Sequence, residues 1–469
     1  MKIKKSTKIV ATIGPATESV ETLTQLVKAG MNVARFNTKH SDPEWHNERM
    51  KRVKKVSQDL NAPIGILVDL QGPEVRIDLP AEKSFPVKRG EIITFSSNLE
   101  KKAKKIVYIP EGVISCMSKG NLILLDDGSC EFIITKISKD TMLVKAVSDC
   151  EVKHRKTMNT PGAILGMPSI TKRDLNYLDK LDSKLIDYIG LSFVRDAIDI
   201  QNLKKEMAKR NIKAAIISKI ENQAALDNLD EIINESDAVM IARGDLGVEV
   251  DYQQLVYWQK KIIFKCRKAA KPVITATQML KSMVDNPRPT RAEVSDIANA
   301  VYDGTDAVML SEETTIGNYP VESVKTQAEI VSYNEQKCAH EIEWPENNNN
   351  CLDITSTVAS LLFHTSQKID RIVCLTESGY TAKLISRFRP KQLIYTITST
   401  PKTYRQLSLV YGCKPYLVEI PKGKITIDNK FIKSLEKKEI VKKGELVLFI
   451  HGPIWKKSGE TNTLSLVNI

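Results

Sequence analysis

Apolar positions along this chain recur in two alternating rhythms. Short runs of strand length, such as Lys8–Ile13, Met31–Phe36 and Ile64–Val68, are each followed or preceded by a stretch with helical spacing. Glu18–Ala29 reads as a helix stopped by Gly30, and Ser41-Asp42-Pro43 caps a long amphipathic helix to Leu60. From about Glu74 to Pro168 the rhythm changes. Short, turn-rich segments such as GEIITFSS, NLILLDDGS and TMLVKAVS predict an inserted all-β domain. Strand–helix alternation resumes at Lys172 and runs through strands at Leu185–Phe193, Ile216–Ile220, Ala238–Ile241, Pro272–Ala276 and Ala307–Leu310. Leaving the insert aside, eight strand–helix repeats are counted, the number that closes a parallel sheet into a (β/α)8 TIM barrel. Glu341–Cys351, EIEWPENNNNC, reads as a linker, and Asp353–Ile469 alternates again as a small α/β domain. The expected division is barrel 1–72, inserted β domain 73–167, barrel 168–342 and C-terminal domain 343–469.

One stretch stands out chemically. Ile216–Val250 reads as strand, helix, strand, with a single helix over Asn222–Glu235. Strand residues alternate faces, so Lys219 and Glu221 point the same way. If the two strands are parallel neighbours, Asp245 joins them at one rim. Lone charges at the ends of buried strands are costly unless they are paired or bind something. An ammonium and two carboxylates suit a divalent cation and a phosphorylated substrate; they also suit a structural ion-pair network. In a barrel, chemistry sits at the C-terminal ends of the strands. Arg35, Asp69, Lys219, Glu221, Asp245 and Thr277 all lie there.

Bulk properties narrow the field. At 469 residues several domains are expected. The net charge of +12 is spread out, with no basic stripe interleaved with aromatics, which argues against nucleic acid. It suits solvated surface and an acidic, phosphorylated substrate. The eight Cys form no Cys-x-x-Cys pair, which fits a reducing compartment and argues against zinc. No apolar run approaches a membrane span, and MKIKKSTKIVATIGPA lacks a signal-peptide apolar region, so the expectation is a cytoplasmic protein.

Ordered motifs then carry a resemblance. KIVATIGPA, MNVARFN, DLQGPEVR, SKIEN, ARGDLGVE, ATQMLKSM with PRPTRAEVSDIANAVYDGTDAVMLS, ESGYTAKLISRFRP and GxTNT at Gly459–Thr463 succeed one another over almost the whole chain. Together they resemble pyruvate kinase, whose barrel, β lid and C-terminal effector domain match the divisions read from pattern. The resemblance implies glycolytic phosphoryl transfer from phosphoenolpyruvate to ADP, giving pyruvate and ATP, with Mg²⁺ or Mn²⁺ as cofactor and a homotetrameric assembly. The competing expectation is a catalytically impaired relative kept as a binding protein.

The resemblance also implies roles. Lys219 is matched to the lysine aimed at the transferring phosphoryl, and Glu221 and Asp245 to the Mg²⁺ carboxylates. Gly244, Asp245 and Thr277 are matched to the substrate pocket, with Thr277 near the carbon that is protonated. Arg35 and Arg76 match phosphate-contacting arginines, and Lys156, His40 and Asn37 fall in nucleotide-contacting stretches. Thr376, Ser378, Gly379 and Thr381 open a C-terminal helix, where hydroxyls and free amides suit a phosphate. A sugar-phosphate or nucleotide effector is implied there, with Ser458–Thr463 closing over it.

Three departures from the family pattern alter the expectation. The usual K⁺ ligands are matched at Asn37 and Asp69, but Lys39 stands at the serine, Leu70 at the threonine and Gln71 at the following lysine. An ammonium has the charge of K⁺ and three donors. Lys39 is therefore expected to replace the cation among Asn37, Asp69 and Glu74, making K⁺ dispensable. Glu312 replaces a glycine, which places a side chain at an expected tight turn. Thr157 replaces the glycine after Lys156, which is expected to alter lid motion.

Overall fold

The computed structural model describes residues 4–126, 128–163, 166–338, 357–358, 361–362, 368–420, 423–455 and 461–469. The expected linker at Glu341–Cys351 lies outside the described residues.

Eight parallel strands close a barrel: Lys8–Thr12, Val33–Asn37, Gly65–Asp69, Tyr188–Leu191, Ala215–Ile220, Ala238–Ala242, Val273–Ala276 and Ala307–Leu310. The first pairs with both the second and the eighth, so no edge remains. Alternate residues of each strand point inward and meet as one buried cluster that includes Val10, Val33, Leu67, Ile217, Met240 and Ile274. The other face packs against the surrounding helices in a second, larger core. Local signals set the helix ends. Ser19 and Asp42 accept amide hydrogens from Thr22 and Trp45, and Gly30, at φ +129°, ends the helix Val20–Ala29.

Two local expectations are revised. The stretch Asn222–Glu235 forms two helices, Gln223–Asp227 and Leu229–Glu235, broken at Asn228. The Asn228 side chain donates to the Arg195 carbonyl, a tertiary contact that overrides helical continuity. Glu312 is not at a tight turn. It starts the short helix Glu312–Thr315, a position open to any L-residue, and its carboxylate pairs with Lys281.

Between the third and fourth barrel strands a six-stranded sheet is inserted, with its own core around Phe95 and Phe132. At the other end of the chain a five-stranded sheet runs in the order Cys413–Leu417, Ile394–Thr398, Arg371–Leu375, Leu446–His451, Thr463–Asn468. All its pairings are parallel except the last, where the final strand returns antiparallel. This C-terminal unit is seated on the barrel mouth where the strands begin. Arg405 and Gln406 bond Asp187, Arg389 bonds Asp306, and Lys8 donates to the Cys413 carbonyl. The opposite mouth, where the strands end, is left to other partners. No helix among the described residues is long and apolar enough to cross a membrane.

Candidate active site

Alternation along the strands builds the upper mouth. Val33, Leu67 and Ile217 point into the apolar interior, so two residues on Arg35, Asp69 and Lys219 point inward one layer higher. The strand register then brings these charges together. Thr12 pairs with Arg35, and Gly190 with Asp69. Arg35 donates to Asp69 Oδ2 at 2.7 Å through Nε and to Thr12 Oγ1 at 2.9 Å. Lys219 Nζ lies 2.7 Å from Glu221 Oε1, 3.5 Å from Asp69 Oδ1, and donates to Ser192 Oγ at 2.8 Å. Gly190 makes the space for this. A methyl group there would stand 2.8 Å from Asp69 Oδ1.

Electrostatics follow from this geometry. Burial opposes charge on Lys219, but Asp69, Glu221 and Asp245 outweigh it and raise its pKa, so the ammonium stays protonated. Burial likewise opposes charge on Asp69, and Lys219 with Arg35 outweighs it and holds the carboxyl below its usual range. Glu221 differs. Burial, reinforced by Asp245 and only partly offset by Lys219, pushes its carboxyl up to about 7. Its other oxygen accepts the Phe193 amide at 2.7 Å, and Phe193 sits at φ +54°.

The neighbouring rim is also strained. Thr277 and Gln278 adopt φ +70° and +56°, and a β-branched residue in that region costs roughly 1–3 kcal/mol. Arg243 fixes the turn. It donates to the Ala276 and Thr277 carbonyls and pairs with Asp296 at 2.6 Å. Gly244 lies at the start of the helix Arg243–Glu249, and its amide donates to Thr277 Oγ1 at 2.8 Å. The same helix carries Asp245, whose charge is felt at both Lys219 and Glu221.

At the lid side, Lys39 donates to Glu74 Oε1 at 2.8 Å. Arg76 reaches the same oxygen at 3.0 Å. The Asn37 side-chain oxygen is taken by the Lys39 amide rather than its ammonium, and Asp69 is held by Arg35 and Lys219. Glu74 alone of the three expected partners therefore meets the Lys39 ammonium. Leu70 is buried, and its carbonyl accepts from Ser192 Oγ. His40 is exposed, and burial of part of its ring, with Lys39, Arg76 and Arg35 nearby, lowers its pKa. Lys156 pairs with Asp126 of the lid at 2.8 Å.

The C-terminal loop is far from this mouth. Thr376 Oγ1 accepts the Gly379 amide, and Ser378 Oγ accepts that of Tyr380. Thr381 shares a hydrogen bond with Thr461 at 2.7 Å. Ser458 and Gly459 lie outside the described residues.

A divalent cation suits the upper mouth. Among the described residues, the buried Asp69 Oδ1 and Glu221 Oε1 have only the Lys219 ammonium to share, at 3.5 and 2.7 Å. Two acids, Glu221 and Asp245, disfavour each other's charge in a buried place, a strain that a cation relieves. No group of three or more His, Cys, Asp or Glu poised for a metal occurs among the described residues.

Sequence reasoning missed the residues that hold this cluster. Ser192 and Phe193 come from the fourth strand's exit, Thr12 from the first strand, and Arg243 from the helix after the sixth. A hydroxyl beside a strand end gives no distinctive signal. Arg243, standing next to Gly244 and Asp245, was the one legible from its neighbours.

Comparison with known proteins bears on the same residues. Residues 4–324 match the family described as "Pyruvate kinase, barrel domain", and 354–467 match "Pyruvate kinase, alpha/beta domain". A pyruvate kinase of Bacillus licheniformis is 41% identical over 477 residues, covering 99% of this chain and 80% of that one. One of Staphylococcus saprophyticus is 40% identical, covering 98% and 80%. A crystal structure of a pyruvate kinase from Cryptosporidium parvum superposes with a TM-score of 0.90 at 30% identity, over 99% of this chain and 96% of that one. With two domain matches in order and such identity over its length, this chain belongs to the pyruvate kinase family and is a phosphotransferase.

Proposed function

We propose that this chain transfers the phosphoryl group of phosphoenolpyruvate to ADP, with the residues of the upper mouth in the roles that follow. The transferring group is loose and spreads charge over its oxygens, so positioning and neutralisation dominate. Lys219 is the fixed positive charge aimed at that group. Arg35 contacts its phosphate, and Arg76 with Lys156, His40 and Asn37 serves the nucleotide from the lid side. Glu221 and Asp245 would hold Mg²⁺, which when bound polarises the substrate's oxygens and neutralises developing charge. Gly244 and Thr277 frame the carboxylate pocket, and Thr277 is assigned the proton relay to the enol carbon. The observation that carries this reading is the Lys219 ammonium held protonated between Asp69 and Glu221.

The reaction is further proposed to run without K⁺. The support is the Lys39–Glu74 ion pair, which places a monovalent positive charge against the Glu74 carboxylate at the lid side. Pyruvate formation with tetramethylammonium chloride in place of KCl is expected at full rate. A large loss of turnover would refute this, and absence of pyruvate in both salts would refute the activity itself. The same reading includes a cytoplasmic homotetramer, the four-part domain division given above, and an effector phosphate at Thr376, Ser378, Gly379 and Thr381.

A further inference from the structure

A second charged cleft lies between the lower mouth of the barrel and the C-terminal domain. It is small and partly open to solvent, and is lined by Arg267, Lys271 and Asp306 of the barrel and Lys383, Arg387 and Arg389 of the C-terminal domain. Five cationic side chains therefore face one carboxylate. That carboxylate is already engaged. Asp306 accepts from Arg389 at 2.7 Å, from the Val273 amide at 3.1 Å and from the Tyr411 amide at 3.0 Å. Asp237 lies close enough for its charge to be felt at Lys271 and Lys383.

Arg387 is the telling residue. It is 6% exposed, and its Nε and Nη2 atoms are buried with no hydrogen-bond partner among the described residues. Its guanidinium has only the face of Phe388, 4.7 Å from the ring centre. Lys383, four residues earlier on the helix Tyr380–Ser386, shares that helix face, and its ammonium makes no hydrogen bond among the described residues. Lys271 answers from the barrel side, donating to the Asn234 and Ser236 carbonyls. A buried guanidinium left without an acceptor is costly, and a forked donor of this kind matches phosphate geometry. The cleft is small and partly open, so at most a small anion or the anionic end of a larger molecule could be held at its mouth.

We propose that this cleft binds a phosphate-class anion, either inorganic phosphate or the phosphate group of a small phosphorylated metabolite. Bound there, the anion accepts from Arg387 and Lys383 of one domain and faces Lys271 of the other, so it stitches the C-terminal domain to the barrel. The site is separate from the phosphotransfer residues and does not depend on their assignment.

The test is thermal unfolding of the full chain at fixed ionic strength in chloride buffer, with inorganic phosphate, ribose 5-phosphate or AMP added. A dose-dependent rise of about 3 °C is expected in at least one arm. The arm with the lowest half-effect concentration names the source. Arg387→Met and Lys383→Met are expected to abolish the rise, whereas Lys219→Met and Ser378→Ala keep it. In phosphate-free buffer Arg387→Met is expected to melt no lower than the parent chain, because the charge it removes has no partner. No rise in any arm, a rise that survives both cleft variants, or a rise lost in Lys219→Met or Ser378→Ala would overturn the proposal. So would an Arg387→Met variant that melts several degrees lower without phosphate.

Discussion

At the lower mouth of the barrel Asp187 and Asp306 are as deeply buried as Asp69 and Glu221 are at the upper one. Their surroundings differ in completeness. Asp187 accepts from Arg405 on one oxygen, and from Lys54 and the Ile66 amide on the other. Asp306 is likewise bonded on both oxygens. Above, Asp69 Oδ1 and Glu221 Oε1 share the single Lys219 ammonium, at 3.5 and 2.7 Å, and Glu221 resists ionisation. The barrel thus finishes its lower acids with protein donors on both oxygens and leaves the upper pair to share one ammonium. Closed acids fasten a neighbouring domain; open acids wait for a substrate or an ion.

Breaking the upper set is expected to have the largest effect. Lys219→Met should lower turnover on the order of 10³-fold, since removing one fixed cation from a phosphoryl-transfer site has consequences of that size. Its circular dichroism should stay native. A variant retaining most of its turnover would show that Lys219 is only a structural ion-pair partner. At the lower mouth the loss should fall on stability instead. Asp187→Ala strands Lys54 and Arg405 without their acid, which costs roughly 3–5 kcal/mol in urea unfolding. Substrate KM of the folded protein should stay within about twofold. If turnover collapses while stability holds, the contrast between the mouths is wrong.

Glu221→Gln sharpens the contrast. Turnover should fall about 10²-fold if Glu221 holds magnesium as proposed. Without magnesium, the neutral side chain should unfold at the same temperature as the parent or higher. Burial and Asp245 already oppose the charge that Gln lacks. A marked drop in melting temperature would place Glu221 with the closed acids. The smallest effect is expected for Ser192→Ala. It removes one hydrogen bond to Lys219 and one to the Leu70 carbonyl. Such a bond contributes about 1 kcal/mol, so turnover should fall about fivefold, with KM for phosphoenolpyruvate little changed.

The upper half of this contrast was legible in the sequence, whereas Asp187 and Asp306 were not singled out there, for a simple reason. Buried parallel strands are short apolar runs, and parity along a strand fixes which side chains share a face. That is why Lys219 and Glu221 could be paired from their spacing alone. The eightfold count gave the barrel, and the turn-rich interval gave the inserted sheet. What escaped depends on contacts between distant segments. The break at Asn228 comes from a carbonyl at Arg195, and nothing local marks it. Thr277 at φ +70° is invisible in a residue type that favours strands. The Phe193 amide that holds Glu221 carries no side-chain signature. Lys39 illustrates the middle ground. Its charge was readable, but its choice of Glu74 over Asp69 was decided by Arg35 and Lys219 having claimed Asp69 first.

Gly190 shows how much can hang on a missing methyl. Its hydrogen lets the Asp69 carboxylate settle against the backbone of the next strand. Alanine at this position would shove that carboxylate off its seat. Arg35 and Lys219, both tethered to it, would drift apart together. An inert-looking substitution on a strand that bears no catalytic group would then silence the enzyme while its fold stayed whole.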